Sequence, residues 1–171
     1  MKQFTLLFFS MLILASCNNN KKSEHSFNKY INTGESNGCW INTNTLKEGP
    51  AFSGIISAKL DSTVEWGLGF RDSFANIGNE IPKKITANAM AMKETDLDDA
   101  VLVVSIDRKD KNLFWQGADI KGFTPNAKEW SKVSVQYNLP KDLTPSDNIT
   151  VFIWNKDKHQ LYVDDFEVLF E

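Results

Sequence analysis

Two adjacent carboxylates, Asp164 and Asp165, stand inside an apolar run near the end of the chain, LYVDDFEVLF over residues 161–170. A carboxylate among apolar residues is costly unless it is hydrogen-bonded, paired or metal-bound. One chemistry open to the pair is binding of a hard cation such as calcium, which takes roughly six to eight oxygens. A second needs no metal: one aspartate faces solvent while the other bonds backbone amides in a turn or pairs with a lysine. A third is glycoside hydrolysis, which needs two carboxylates about 5–9 Å apart. Neighbours on one strand point to opposite faces, so Asp164 and Asp165 are not expected to flank one bond.

The other residues that could recognise a ligand are aromatic. The chain has five tryptophans, Trp40, Trp66, Trp115, Trp130 and Trp154. Sugars are held by flat aromatic faces against the apolar side of a pyranose, with amides and carboxylates bonding the hydroxyls. Trp66, Trp115 and Trp154 form the candidate ligand-binding set, with Asn88 and Gln116 as polar partners. The competing reading is that tryptophans fill the core or cover a sheet end; Trp40, beside Cys39, and Trp130 read that way. Glycan binding predicts exposed, coplanar aromatics on one sheet or at a loop edge. A structural or protein-interaction role predicts buried tryptophans and an apolar patch elsewhere.

Covalent and metal chemistry finds little support. The only histidines are His25 and His159, and the only cysteines Cys17 and Cys39. No Gly-rich phosphate loop, HExxH or CxxC motif occurs. Cys39 reads as a buried, inert thiol, and no enzymatic activity is expected. The acidic residues Glu94, Asp96, Asp98 and Asp99 read as a solvated turn. With 19 basic and 22 acidic residues the net charge is −3, which argues against a nucleic-acid partner.

The start of the chain has a different logic. Lys2 precedes an apolar run, Phe4 to Leu14, and then Leu14-Ala15-Ser16-Cys17. The run is too short for the roughly 20 residues that cross a bilayer. The order of a basic, an apolar and a small-residue segment is that of a signal peptide. With cysteine at the first mature position it resembles the bacterial lipoprotein signal. The resemblance implies cleavage after residue 16, lipidation (including palmitate-type acylation) of Cys17, and a membrane-anchored envelope protein, in the outer membrane of a Gram-negative bacterium. Residues 17–29 are then the lipidated cysteine and a polar tether. Asn and Lys, not acidic residues, follow Cys17, which favours the periplasmic face.

From residue 30 to 171 the pattern is β throughout. Lys84 to Lys93 alternates, with Ile85, Ala87, Ala89 and Ala91 on one face. Ala100 to Asp107 is nearly continuously apolar, as for a central strand covered on both faces. Asn112 to Gln116, Trp130 to Leu139, Asn148 to Asn155 and Leu161 to Phe170 follow, and Gly54 to Leu60 and Val64 to Phe70 precede. On the Asn148 strand, Ile149, Val151 and Ile153 oppose Thr150, Phe152 and Trp154. No segment carries a helical period. Short strands with regular turn signals indicate an all-β antiparallel sandwich or barrel.

In their order, the segments ITANAMAMK, AVLVVSID, EWSKVSVQYNLP, DNITVFIWN and LYVDDFEVLF resemble the galactose-binding-like β-jelly-roll domains, especially bacterial carbohydrate-binding modules. The resemblance implies an antiparallel two-sheet jelly-roll sandwich over residues 30–171. It also implies one structural Ca2+, held by Asp165 or, failing that, Asp164, with Glu35 or Asp61 as a further carboxylate. Its functional implication is a non-catalytic, lipid-anchored protein whose partner is a glycan. The alternative is a structural lipoprotein whose partner is another envelope protein.

Overall fold

A computed structural model describes residues 28–34, 39–96 and 100–171. Cys17, the tether up to residue 27, Glu35, Asp98 and Asp99 lie outside them. Among the described residues, no helix is long and apolar enough to cross a membrane.

Among the described residues, eleven strands form two antiparallel sheets. The six-stranded sheet contains β3 (Leu46–Glu48), β4 (Ile56–Leu60), β11 (Leu161–Phe170), β6 (Lys84–Lys93) and β9 (Ser131–Asn138) in that order, with β1 (Asn28–Asn32) also paired to β11. The five-stranded sheet runs β2 (Trp40–Ile41), β5 (Trp66–Ser73), β10 (Asn148–Asn155), β7 (Ala100–Arg108) and β8 (Lys111–Asp119). This is the two-sheet jelly-roll sandwich that the strand pattern and the resemblance imply.

Alternation builds the core. Ile85, Ala87, Ala89 and Ala91 of β6 are all buried, as are Ile149, Val151 and Ile153 of β10. Short alanine side chains on β6 leave room between the sheets for Phe70, Phe74 and Phe166, each 0 % exposed. Burying one such aliphatic or aromatic side chain stabilises the fold by about 1.5–3 kcal/mol. β7 is buried on both sides, as its nearly continuous apolar run predicts: Leu102, Val104 and Ile106 face the core, and Val101 and Val103 are covered from outside.

Several boundaries differ from the pattern reading. β1 begins at Asn28, inside the stretch read as tether, because Asn28 and Lys29 pair with Phe170 and Leu169. β8 continues to Asp119, since it follows β7 as far as Val101. One helical turn, α1 (Phe74–Ile77), docks Phe74 and Ile77 into the core. Four residues are too few to show a period. Met92, on the face of β6 opposite Ala91, is also covered, at 8 % exposed.

Two polar residues close the sandwich ends. The Asn155 side-chain amide donates to the carbonyls of Asp61, Val64 and His159, joining the turns at either end of that region. Asp147, fully buried, accepts from Arg108 Nε and Nη2 at 2.8 and 2.9 Å. The Arg108 guanidinium holds its carboxyl down to about 2.

Candidate functional site

The outward face of the five-stranded sheet is set by β10. With Ile149, Val151 and Ile153 committed to the core, Thr150, Phe152 and Trp154 must face out. The register then fixes their neighbours. Trp154 lies opposite Trp66 of β5 and Val101 of β7; Phe152 lies opposite Gly69 and Val103; Thr150 lies opposite Arg71 and Ser105. Beyond β7, Val103 meets Gly117 and Ser105 meets Trp115 of β8. One half of the face is therefore aromatic and the other polar.

In the aromatic half, Trp66 and Trp154 stack at 5.8 Å with an interplanar angle of 12°. Phe152 meets Trp66 edge-on at 5.5 Å. Trp115 stands at 82° to Trp154, 6.4 Å away. These rings roof Val101 and Val103, which explains the burial of β7 from outside. Trp66 is 50 % and Trp115 48 % exposed. That is a large apolar surface to leave in water, and contiguous exposed apolar surface marks interaction sites.

Two glycines make the arrangement fit. A Cβ at Gly69 would lie 2.7 Å from both Phe152 Cβ and the Val151 carbonyl oxygen. A Cβ at Gly117 would lie 2.7 Å from Val101 Cγ1 and 3.1 Å from Trp115 Cη2. The Trp115 ring thus lies back over Gly117 of its own strand. In the polar half, Asn112 Nδ2 donates to Ser105 Oγ and to Asp107 Oδ1, both at 2.9 Å. Arg71 stands exposed opposite Thr150.

The structure brings Trp66, Trp115 and Trp154 together on one sheet, but they are not coplanar as expected. The other two candidates lie elsewhere. Asn88 is on β6 of the opposite sheet, where it donates to Glu167 Oε1 and accepts from Ser134 Oγ. Gln116 follows Trp115 directly in β8, so it points to the other face, paired with inward Val104. Phe152, Thr150 and Arg71 are the members the sequence reading missed. The alternation of β10 already put Phe152 and Thr150 beside Trp154; Arg71 had no local signal.

The remaining aromatic and thiol assignments divide. Trp40 is buried against Phe70 and Phe166, at 5.9 and 5.6 Å. Trp130 is half-buried, edge-on to Phe52. Cys39 is half-buried rather than buried, because its Sγ reaches the Asp72 carboxylate at 3.0 Å. That hydrogen bond and burial push the thiol pKa up, which disfavours the reactive thiolate.

Asp164 and Asp165 sit at a β-bulge, where the pairing of β11 with β6 slips between Asp164 and Glu167. Asp165 adopts φ 46°. On its other side, β11 changes partner here, from β4 at Val163 to β1 at Phe166. The bulge overturns the expectation that adjacent aspartates diverge, because its extra residue breaks the alternation. Both carboxylates reach Ser53: Asp164 Oδ2 accepts the amides of Phe52 and Ser53 at 2.8 and 2.9 Å, and Asp165 Oδ1 accepts Ser53 Oγ at 2.6 Å. Asp164 Oδ1 also accepts the amide of Asp165.

Three amides account for the burial of Asp164 without a cation. Among the described residues, no group of three His, Cys, Asp or Glu could hold a metal. Asp61 is engaged elsewhere, accepting from Thr63 N and Oγ1. The hydrogen bonds of Asp164 are those of the backbone-amide alternative.

No family model matches the chain, and no curated protein matches it. Solved structures do. The CBM22-2 xylan-binding domain from Paenibacillus barcinonensis Xyn10C aligns at 16 % identity and TM-score 0.56, covering 84 % of this chain and 98 % of that one. The CBM22-1 xylan-binding domain of the same protein aligns at 15 % and 0.51, covering 82 % and 92 %. The C-terminal family 22 carbohydrate binding module of Clostridium thermocellum Xyn10B aligns at 16 % and 0.52, covering 82 % and 91 %. At these identities the likeness is one of fold.

Proposed function

We propose that this protein is a non-catalytic glycan-binding domain, and that the aromatic half of the five-stranded sheet is its binding face. The observation that carries this reading is the assembly of Trp66, Trp154, Trp115 and Phe152 over a glycine-opened sheet, with two indoles about half exposed. Tryptophan faces offer apolar area to a sugar ring, and Arg71, Thr150, Asn112 and Asp107 on the same face offer donors and acceptors for hydroxyls. The fold shared with xylan-binding domains supports the same reading.

The ring angles narrow the ligand. Trp115 is nearly perpendicular to Trp154, and Trp154 nearly parallel to Trp66. Rings so disposed cannot all lie against a flat crystalline surface, but they fit a single soluble chain that follows the corner between them. Affinity electrophoresis through soluble xylan, β-glucan, galactan and mannan, set against pull-down on microcrystalline cellulose, tests this. Retardation by at least one soluble glycan, with no retention on the crystal, is expected. Retention on the crystal alone would overturn the soluble-chain reading.

The lipoprotein-like start gives the domain its place. With Cys17 lipidated, the face is held at a bacterial envelope, where it retains polysaccharide. Radiolabelled palmitate should enter the protein in cells and be lost in Cys17→Ala.

A further inference from the structure

We infer that the six-stranded sheet carries a second, smaller binding site, for a single neutral sugar unit such as a chain end, in the hollow between Phe52, Asn88, Met90, Lys132, Asp165 and Glu167. The glycan-binding reading above supplies the choice of ligand; the site itself stands on separate residues on the opposite side of the sandwich.

The hollow is an open depression of about 220 Å³, below the roughly 300–1,000 Å³ of pockets that take drug-sized ligands. Its size suits one small unit and not a long chain. Its aromatic wall is Phe52, 50 % exposed and braced edge-on by Trp130 at 6.0 Å. Phe52 rides on a loop, but the loop is stapled: Asp164 bonds the amides of Phe52 and Ser53, and Asp165 bonds the Ser53 hydroxyl. The aromatic is therefore presented in a fixed position, which lowers the entropy lost on binding.

The polar groups divide into occupied and free. Asn88 is bonded to Glu167 and Ser134, and Glu167 is bonded to Asn88 and Lys29. They form a rigid back wall. The second oxygen of Asp165 and the ammonium of Lys132 have no hydrogen-bond or ion-pair partner among the described residues. One free acceptor and one free donor beside an aromatic face are what vicinal hydroxyls on a pyranose need. Asp165 and Glu167 are balanced by Lys132 and Lys29, so the hollow favours a neutral ligand over an ionic one.

The test is a titration of ¹⁵N-labelled protein with xylohexaose, cellohexaose and mannohexaose in turn, followed by amide shifts. Two separate sets of shifts are expected, one around Trp66, Trp154 and Trp115 and one around Phe52, Asp165 and Lys132. Phe52→Ala and, independently, Asp165→Asn should weaken the second set at least tenfold and leave the first unchanged. Asparagine tolerates a left-handed backbone, so the second variant tests the charge without the loop. Shifts at the tryptophans alone would overturn the second site and keep the first. Shifts around Phe52 that neither variant weakens would overturn the residue assignment. No shifts with any of the three sugars would overturn the second site and leave the glycan reading of the first face to the polysaccharide experiment.

Discussion

The outward faces of the two sheets are built on the same alternation and end up as different surfaces. On the six-stranded sheet, polar residues bond sideways to one another across strands. Gln136 donates to Thr86, Ser134 to Asn88, and Asn88 to Glu167, which also pairs with Lys29 at 2.5 Å. Cross-strand pairs of this kind stabilise a sheet by about 0.2–1 kcal/mol each. On the five-stranded sheet the equivalent positions hold Trp66, Phe152, Trp154 and Trp115, whose rings touch each other and water. Away from the hollow beside Phe52, the first face is satisfied from within. The second leaves apolar area open to water at Trp66 and Trp115, and the proposed glycan face rests on this difference.

The sharpest way to break the comparison is to remove the two exposed indoles. In Trp66→Ala/Trp115→Ala, glycan affinity should fall by roughly 1,000-fold, taking about 2 kcal/mol for each lost anchor. Calorimetric titration reads the affinity, and an unchanged affinity would transfer the function away from this face. Next in size is Asp164→Ala at the bulge of the other sheet. It strands the amides of Phe52, Ser53 and Asp165, and should cost about 3 kcal/mol of stability in urea unfolding. Adding calcium or chelator should not move the wild-type melting temperature; a calcium-dependent rise would restore the metal to Asp164 and Asp165.

A smaller effect sharpens the role of the glycine trough. Gly117→Ala places a methyl against Val101 and the Trp115 ring. Turning the ring should weaken glycan binding about 5–10-fold while the fold survives, since overpacking typically costs about 1–3 kcal/mol. The smallest effect belongs to the polar face. Asn88→Ala should lower stability by about 1 kcal/mol and leave binding by the tryptophan face unchanged in the same titration. A loss there would mean that the two faces are coupled.

Much of this was legible in the chain. The alternation in NITVFIWN assigned each side chain of β10 to its face, and KITANAMAMK did the same for β6. Asn88 and Gln116 failed for a physical reason. Asn88 has the right chemistry on a strand that folds into the other sheet, and Gln116 has the right neighbour but the wrong parity. The bulge was readable and was missed: in LYVDDFEVLF the apolar positions run 161, 163 and then 166, 168, 170, a change of parity that only an inserted residue can accommodate. Reading strict alternation through it sent Asp164 and Asp165 to opposite faces.

By itself, the sequence determined the fold class, most of the longer strands and the inward face of each well-patterned one, because these depend on local order along the chain. Tertiary structure alone decided that Trp66 and Trp115 meet Trp154, that Arg71 shares their face, and that two aspartates staple the Phe52 loop. Those contacts join residues tens of positions apart. They are set by the register between strands and by which strands share a sheet, and both come from the closing of one common core.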